Sequence, residues 1–340
     1  MLRLADAYVA SHPHACFGHS RAWRAAVWST YRLPTLVLAA LDGDTVKGVA
    51  PWTVMLSPLA GSYAVIAPFA SYGDLLGDDD VVADALLRES RRRLRWIGCG
   101  YAQVRTRWRQ LDTGAARGRT DSSRFVTSRV VLAGGADHVW RSVLHPKTRN
   151  QLRKARRVGV KVERVASWSR FAEVCELGTH ALGSPFHGRR FFRELAAGFG
   201  DRLQAWVALA PRGRPAAAVL AIRWRDTTHY VYGHNVHDPA LRRSCANSLA
   251  VWTMIEQACR DGQRALDLGR SELGSPAERF KRKWGGTYEP LHETLALLWR
   301  RRLPDLNPTN PRLRALQRLW RALPRPLVRR LGPLLIRGIG

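Results

Sequence analysis

The sequence predicts an α+β protein built from two like halves and closed by a basic tail. Three observations lead to this reading. A hairpin signal followed by strand, helix and strand occurs twice, the second hairpin beginning about 170 residues after the first. The composition, 46% hydrophobic and 24% charged, supplies apolar side chains for an ordinary core. A length of 340 residues leaves room for two domains of usual size. A repeated α+β pattern argues for duplication rather than one long doubly wound sheet.

In the first half, read as residues 1–133, "SRAWRAAVWSTY" predicts a helix. "TLVLAALDGDTVKGVAPWTVM" then gives two β-rich runs joined by Asp42-Gly43-Asp44, a hairpin turn. "YAVIAPF" predicts a strand, "DVVADALLRESRRRLRWIG" an amphipathic helix, and "YAQVRTRW" a further strand. Gly114 to Ser123, small and polar, predicts a loop before the strand "RFVTSRVVL".

The second half, residues 134–303, opens with "DHVWRSVLHPKTRNQLRKARRVG". A helix is expected from His145-Pro146 to Gly159, with Arg149, Arg153 and Arg156 on one face and Lys147, Asn150 and Lys154 on the adjacent stripe. Such a face is either a solvated basic surface or an anion grip. "LQAWVALAPRGRPAAAVLAIRW" predicts the second hairpin, turning at Pro211 to Pro215. "THYVYGHN" follows as a strand, "ANSLAVWTMIEQACRDG" as a helix ending at Gly262, and "RALDLG" as a strand. Between "THYVYGHN" and that helix, a loop carrying Arg242, Arg243, Ser244 and Asn247 leads into a helix start. Free N–H groups and the positive dipole end suit phosphate there, while Ser244 or Asn247 would serve equally as an ordinary N-cap.

The tail, residues 304–340, has no acidic residue after Asp305. Leu313, Leu316, Trp320 and Leu323 fall at helical spacing with arginines elsewhere, and Pro324 and Pro326 interrupt the pattern. Two readings stand: a segment lying on an anionic membrane through residues 312–340, or a tail packing its apolar stripe on the domain.

The net charge of +28 implies an anionic partner, although arginine outnumbers lysine as GC-rich coding would produce. No compact basic arm or nucleic-acid-binding motif accompanies it. The cysteines Cys16, Cys99, Cys175, Cys245 and Cys259 are odd in number and unpaired in spacing, which fits a reducing cytoplasm and argues against disulfides or zinc. His234 and His237 lack a third ligand at a telling spacing, so no metal is expected. No signal peptide and no run of about 20 apolar residues is evident, which predicts a soluble or peripheral protein.

The stretch "LDLGRSELGSPAERFKRKWGG", Leu266 to Gly286, begins as a buried strand and ends as a basic aromatic turn. It is either a solvated turn or the place where an anionic substrate meets a reacting group. Together with "APFASYGD", "KTRNQLRKA" and the ending "NPTNPRLRALQRLWRALPRPLVRRLGP", it makes the chain resemble the Fem family over nearly its whole length. The likeness is closest to a branch associated with exopolysaccharide and PEP-CTERM/exosortase gene clusters.

That resemblance implies two tandem GNAT-like halves, with the active site in the second. It implies a cytoplasmic acyl- or aminoacyltransferase, peripheral at most on the inner face of the membrane. Acyl-CoA or aminoacyl-tRNA would be the donor, and tRNA would enter only in that role. A nucleotide- or lipid-linked amino-sugar or peptide precursor of envelope polymer would be the acceptor. Lys281 is then expected at the reacting centre as a point charge, with Asp267 and Glu272 the nearest carboxylates for base catalysis. Arg149, Asn150, Arg153 and Lys154 would grip acceptor phosphate, and Tyr72 would line the acceptor site. Arg270, Ser271, Phe280 and Trp284 would contribute to substrate binding, and Arg242, Arg243, Ser244 and Asn247 would hold the donor. Lys283 is expected to be surface charge. Where the family loop carries glycines the chain has Cys245 and Asn247, and the long helical arm of many Fem enzymes is missing. A non-catalytic membrane-docked scaffold and a nucleic-acid-binding protein remain the competing readings.

Overall fold

In the computed structural model, residues 1–108, 111, 118–304 and 310–339 are described. The elements begin with α1 (Leu2–Ser11), α2 (Arg21–Tyr31), β1 (Thr35–Asp42), β2 (Thr45–Ser57), β3 (Gly61–Ile66) and β4 (Leu76–Gly77). Then come α3 (Asp80–Trp96), β5 (Tyr101–Thr106), β6 (Gly118–Val131), α4 (Gly135–His138), α5 (Pro146–Arg157) and β7 (Lys161–Arg164). The middle of the chain forms α6 (Trp168–Leu182), α7 (Arg189–Phe199), β8 (Leu203–Ala210), β9 (Arg214–Trp224) and β10 (Thr227–Asn235). It continues with α8 (Pro239–Arg243), α9 (Ala246–Arg260), β11 (Ala265–Asp267), β12 (Ser271–Glu272), α10 (Pro276–Arg282) and β13 (Thr287–Leu297). Two tail helices follow, α11 (Pro311–Ala322) and α12 (Arg325–Ile336).

The chain divides into two compact units. The first comprises Met1–Phe125, Pro290–Asn310 and Leu334–Gly340, the second Val126–Glu289 and Pro311–Pro333. The halves 1–133 and 134–303 read from the sequence do not coincide with these units. Residues 292–297 return to the first unit because they pair antiparallel with 101–106 of β5, and the tail is shared out between both.

Within the first unit the strand order is β1-β2-β3-β5-β13, antiparallel except for the β3/β5 pair. The Asp42–Thr45 pairing closes the hairpin at Asp42-Gly43-Asp44 as its turn residues require. Ser20 caps α2, accepting from the Trp23 amide, and Asp79 caps α3 in the same way through Val82. Trp23 and Trp52 are fully buried, and their indole N–H groups donate to Pro68 O and Ser90 Oγ. The loop expected at Gly114 to Ser123 is shorter than that, since β6 already begins at Gly118, and residues 112–117 lie outside the described residues.

The second unit has the order β6-β11-β10-β9-β8-β7, with β10/β11 the parallel pair. Every residue of β8 is buried, which requires cover on both faces. Trp206, Ala208 and Ala210 join the core formed with Leu152, Ala155 and the α9 residues Ala250, Val251, Met254 and Ile255. Helices α6 and α7 also pack on β8. Leu152 and Ala155, both fully buried, are what holds the otherwise basic α5 in place. Its N-cap is His145, with Pro146 in the first turn.

The part of the tail in this unit is anchored. Trp320 is 6% exposed, its indole donates to Ser184 O at 3.1 Å, and its carbonyl meets His180 Nε2 at 3.0 Å. Gly183 ends α6 at φ 78°, and a Cβ there would stand 2.9 Å from Gln317 Cβ. Arg325 and Arg329 pair with Glu173 and Glu176 of α6. The packing reading therefore holds for Trp320, whereas Leu316 on the same sequence stripe is 45% exposed.

Candidate active site

Strands β10 and β11 run parallel through only Thr227–His229 and Ala265–Asp267. Beyond His229 β10 continues to Asn235 with a bulge between Tyr230 and Tyr232, while the other chain turns away at Gly269, φ 71°. Past Asp267 the segment "LDLGRS" no longer pairs with β10. Asp267 is the last residue of that pairing. The carboxylate is 1% exposed, its Oδ1 accepts from Thr127 Oγ1 and from the Gly269 amide at 2.7 Å each, and Oδ2 lies 4.0 Å from His229 Nδ1. Asp267 thus holds the turn, its Oδ1 accepting from two donors. Glu272, the other expected base, is exposed at the end of β12.

Helix α10 brings Lys281 back over this turn. Ser275 caps it by accepting from the Glu278 amide at 3.1 Å, the S-x-x-E pattern of "SPAE". The Lys281 ammonium, 8% exposed, donates to Gly269 O and Arg270 O at 2.9 Å each and stands 6.0 Å from the Tyr230 ring centroid. Burial pushes its pKa down to about 8, against the pull of Asp267 and with a smaller push from Arg270. Two protons of the ammonium are engaged, and no third acceptor is found for it among the described residues. Arg270 and Ser271 follow on the same turn; Ser271 is buried and its hydroxyl has no partner among the described residues.

Lys283 is not surface charge. Its ammonium reaches Gln151 Oε1 on α5 at 2.7 Å and Ser248 Oγ in the first turn of α9 at 3.2 Å, over the Phe280 ring at 4.3 Å. Partial burial lowers its pKa to about 8. Its carbonyl accepts from Thr148 Oγ1, so one residue ties α5, α9 and α10 together. Trp284 is fully buried, edge-on to Phe280. Gly285 sits at φ 76° with Val143 O where a Cβ would be, which explains a glycine after the tryptophan. Lys283, Gln151 and Ser248 were missed because only the fold makes them neighbours.

The predicted loop before α9 is partly helical. Asp238 Oδ1 accepts from the Ala240 and Leu241 amides, and Pro239 follows, so the chain turns into α8. Arg242 and Arg243 are exposed on α8. The Ser244 hydroxyl donates back to Leu241 O at 2.6 Å and does not cap α9, a correction to its expected role. Cys245 takes the left-handed turn into α9 at φ 59°, where a glycine was expected. Asn247 is half-buried, and its Oδ1 has no partner among the described residues.

On α5, Arg149 donates through Nη1 to Trp140 O, Arg141 O and Leu144 O, at 3.0–3.1 Å. Through Nη1 it caps the preceding turn. Arg153 donates to Asn150 Oδ1 and, with Arg156, lies beside the Trp140 ring. Lys154 is exposed. Tyr72 belongs to the first unit, where it is buried, receives a hydrogen bond from Arg107 Nη1 at 3.1 Å and packs with Cys16, Phe125 and Leu291.

The elements from α5 to α10 coincide with a stretch of sequence that matches a known family. Residues 146–282 match the family model described as an acetyltransferase (GNAT) domain. The fold of the whole chain is like that of FemX, with a TM-score of 0.68 at 15% identity over 88% of this chain and 96% of that one. It is also like L-PGS from Bacillus licheniformis, with a TM-score of 0.54 at 12% identity over 95% and 97% of the two chains. A further likeness is to the C-terminal domain of a putative lysylphosphatidylglycerol synthetase from Agrobacterium fabrum, with a TM-score of 0.52 at 13% identity over 86% and 90%. At these identities the likeness is one of fold. No curated protein matches the sequence at a significant level.

Proposed function

We propose that the protein transfers an acyl or aminoacyl group to an amino group of a cell-envelope or exopolysaccharide precursor, forming an amide. The observation that carries this reading is the Lys281 ammonium, buried at the parting of β10 and β11 with one proton to spare. The amine lone pair attacks the acyl carbon, the C–O or C–S bond to the donor breaks, and the amine proton leaves with solvent or the departing group. Negative charge on the carbonyl oxygen is met by Lys281, a fixed cation in a site shielded from water. Gly269 O, Arg270 O and Asp267 keep that cation in position, and Ser271 supplies a hydroxyl on the same turn.

The donor, acyl-CoA or aminoacyl-tRNA, would place its phosphates at the start of α9. There the Asn247 side chain and the exposed Arg242 and Arg243 stand in for a glycine-rich cradle. The exposed Arg153 and Lys154 of α5 remain as acceptor contacts. The surface-polymer acceptor is supported by the resemblance to the branch associated with exopolysaccharide and PEP-CTERM gene clusters, and by the likeness in fold to FemX. The test is a mass-spectrometric screen of acetyl-CoA, longer acyl-CoAs and aminoacyl-tRNAs against amino-sugar and peptide precursors. An amide product that disappears with Lys281→Met is expected; the same product yield from Lys281→Met would refute the assignment.

A further inference from the structure

The outward side of α12 is apolar and, among the described residues, uncovered. Leu327, Leu331 and Leu334 recur at i, i+4 and i+7, one stripe of a helix, and are 43%, 37% and 59% exposed. The other side of α12 is taken up: Val328 and Gly332 are buried, and Arg325 and Arg329 pair with Glu173 and Glu176. Arg330, exposed, borders the leucine stripe. No carboxylate follows Asp305 anywhere in the tail. Inner and outer faces of one helix thus have different tasks, the inner face fixing α12 to α6 and the outer face left for something else.

The occupant must be apolar and negative at once. Nucleic acid would leave the leucines in water. A second copy would bring arginine against arginine in a chain of net charge +28. We propose that α12 docks on an anionic phospholipid bilayer, its leucine stripe in the acyl boundary and Arg330 among the phosphates. Because Arg325 and Arg329 clamp the inner face, the helix meets the bilayer as part of the folded domain and not as a loose tail. This surface is independent of the transfer chemistry proposed above.

Sedimentation of the full chain with vesicles tests it, using phosphatidylcholine alone and phosphatidylcholine mixed with phosphatidylglycerol. Binding only to the anionic vesicles is expected, weakened by salt. Leu327→Gln with Leu331→Gln keeps the charge and should lower the partition constant about tenfold or more. Arg330→Gln should lower it about fivefold. Thermal melts confirm that each variant is folded. Equal binding to neutral vesicles, no binding at low salt, or full binding by the double leucine variant overturns the proposal. So does a concentration-dependent dimer in light scattering that this variant abolishes, since a second copy would then be the occupant.

Discussion

Replacing Lys281 by methionine should change how stability depends on pH, and this can be measured before any substrate is identified. Burial lowers the Lys281 pKa from 10.5 to about 8. In the unfolded chain the ammonium keeps its proton up to the ordinary value. Between those limits the unfolded state therefore binds more protons than the folded one, and the folded state gains stability as pH rises. Complete titration of the shift corresponds to roughly 3 kcal/mol, of which about 2 kcal/mol falls between about pH 7.5 and about pH 10. Lysine 283 contributes in the same direction and is present in both proteins, so it cancels in the comparison. Urea unfolding at the two pH values, for the wild type and Lys281→Met, isolates the term. The variant should lose about 2 kcal/mol of the wild-type rise. Parallel pH dependences for the two proteins would show that Lys281 titrates as a solvated lysine, and the account of a buried, positioned cation would fail.

The same charge sets the expected pH profile of transfer. Lys281 works as a cation, so kcat should fall as pH rises through about 8, and Lys281→Met should cost about 100-fold to 1,000-fold in kcat. Arg149→Ala should lower stability by about 1–3 kcal/mol in urea unfolding, because three carbonyls lose their donor, and should leave acceptor KM unchanged. Gly285→Ala meets Val143 O and a left-handed backbone and should cost more than about 2 kcal/mol in the same assay. Trp320→Ala, which removes a 6% exposed ring and its hydrogen bond to Ser184 O, should destabilise by about 3 kcal/mol and expose the α6 face to proteolysis.

The elements were legible because each is specified by residues close together in the chain. The Asp42-Gly43-Asp44 turn is such a local instruction and the structure follows it, whereas the basic aromatic turn expected after "LDLG" is in part the helix α10, started by Ser275 and Pro276. The start of α9 at Ala246 falls where the sequence places it, but the loop expected before it contains α8, which Asp238 and Pro239 start. The roles of charged residues were less legible. Arg149 and Arg153 both belong to the same basic run in the sequence, but one donates through Nη1 to the carbonyls of the turn before it and the other stays exposed.

By itself the sequence determined most of the α+β elements, the basic acid-free tail and the placing of Lys281 and Lys283 in the stretch "LDLGRSELGSPAERFKRKWGG". Tertiary structure decided what the two lysines of that stretch do. Lys281 turns onto carbonyls 12 and 11 residues earlier. Lys283 reaches Gln151, 132 residues before it, and Ser248, 35 before it. Periodicity records which side of a helix is apolar, but a charge is tuned by the water it loses and by the dipoles it finds. Those arrive from distant segments only when the strands and helices pack.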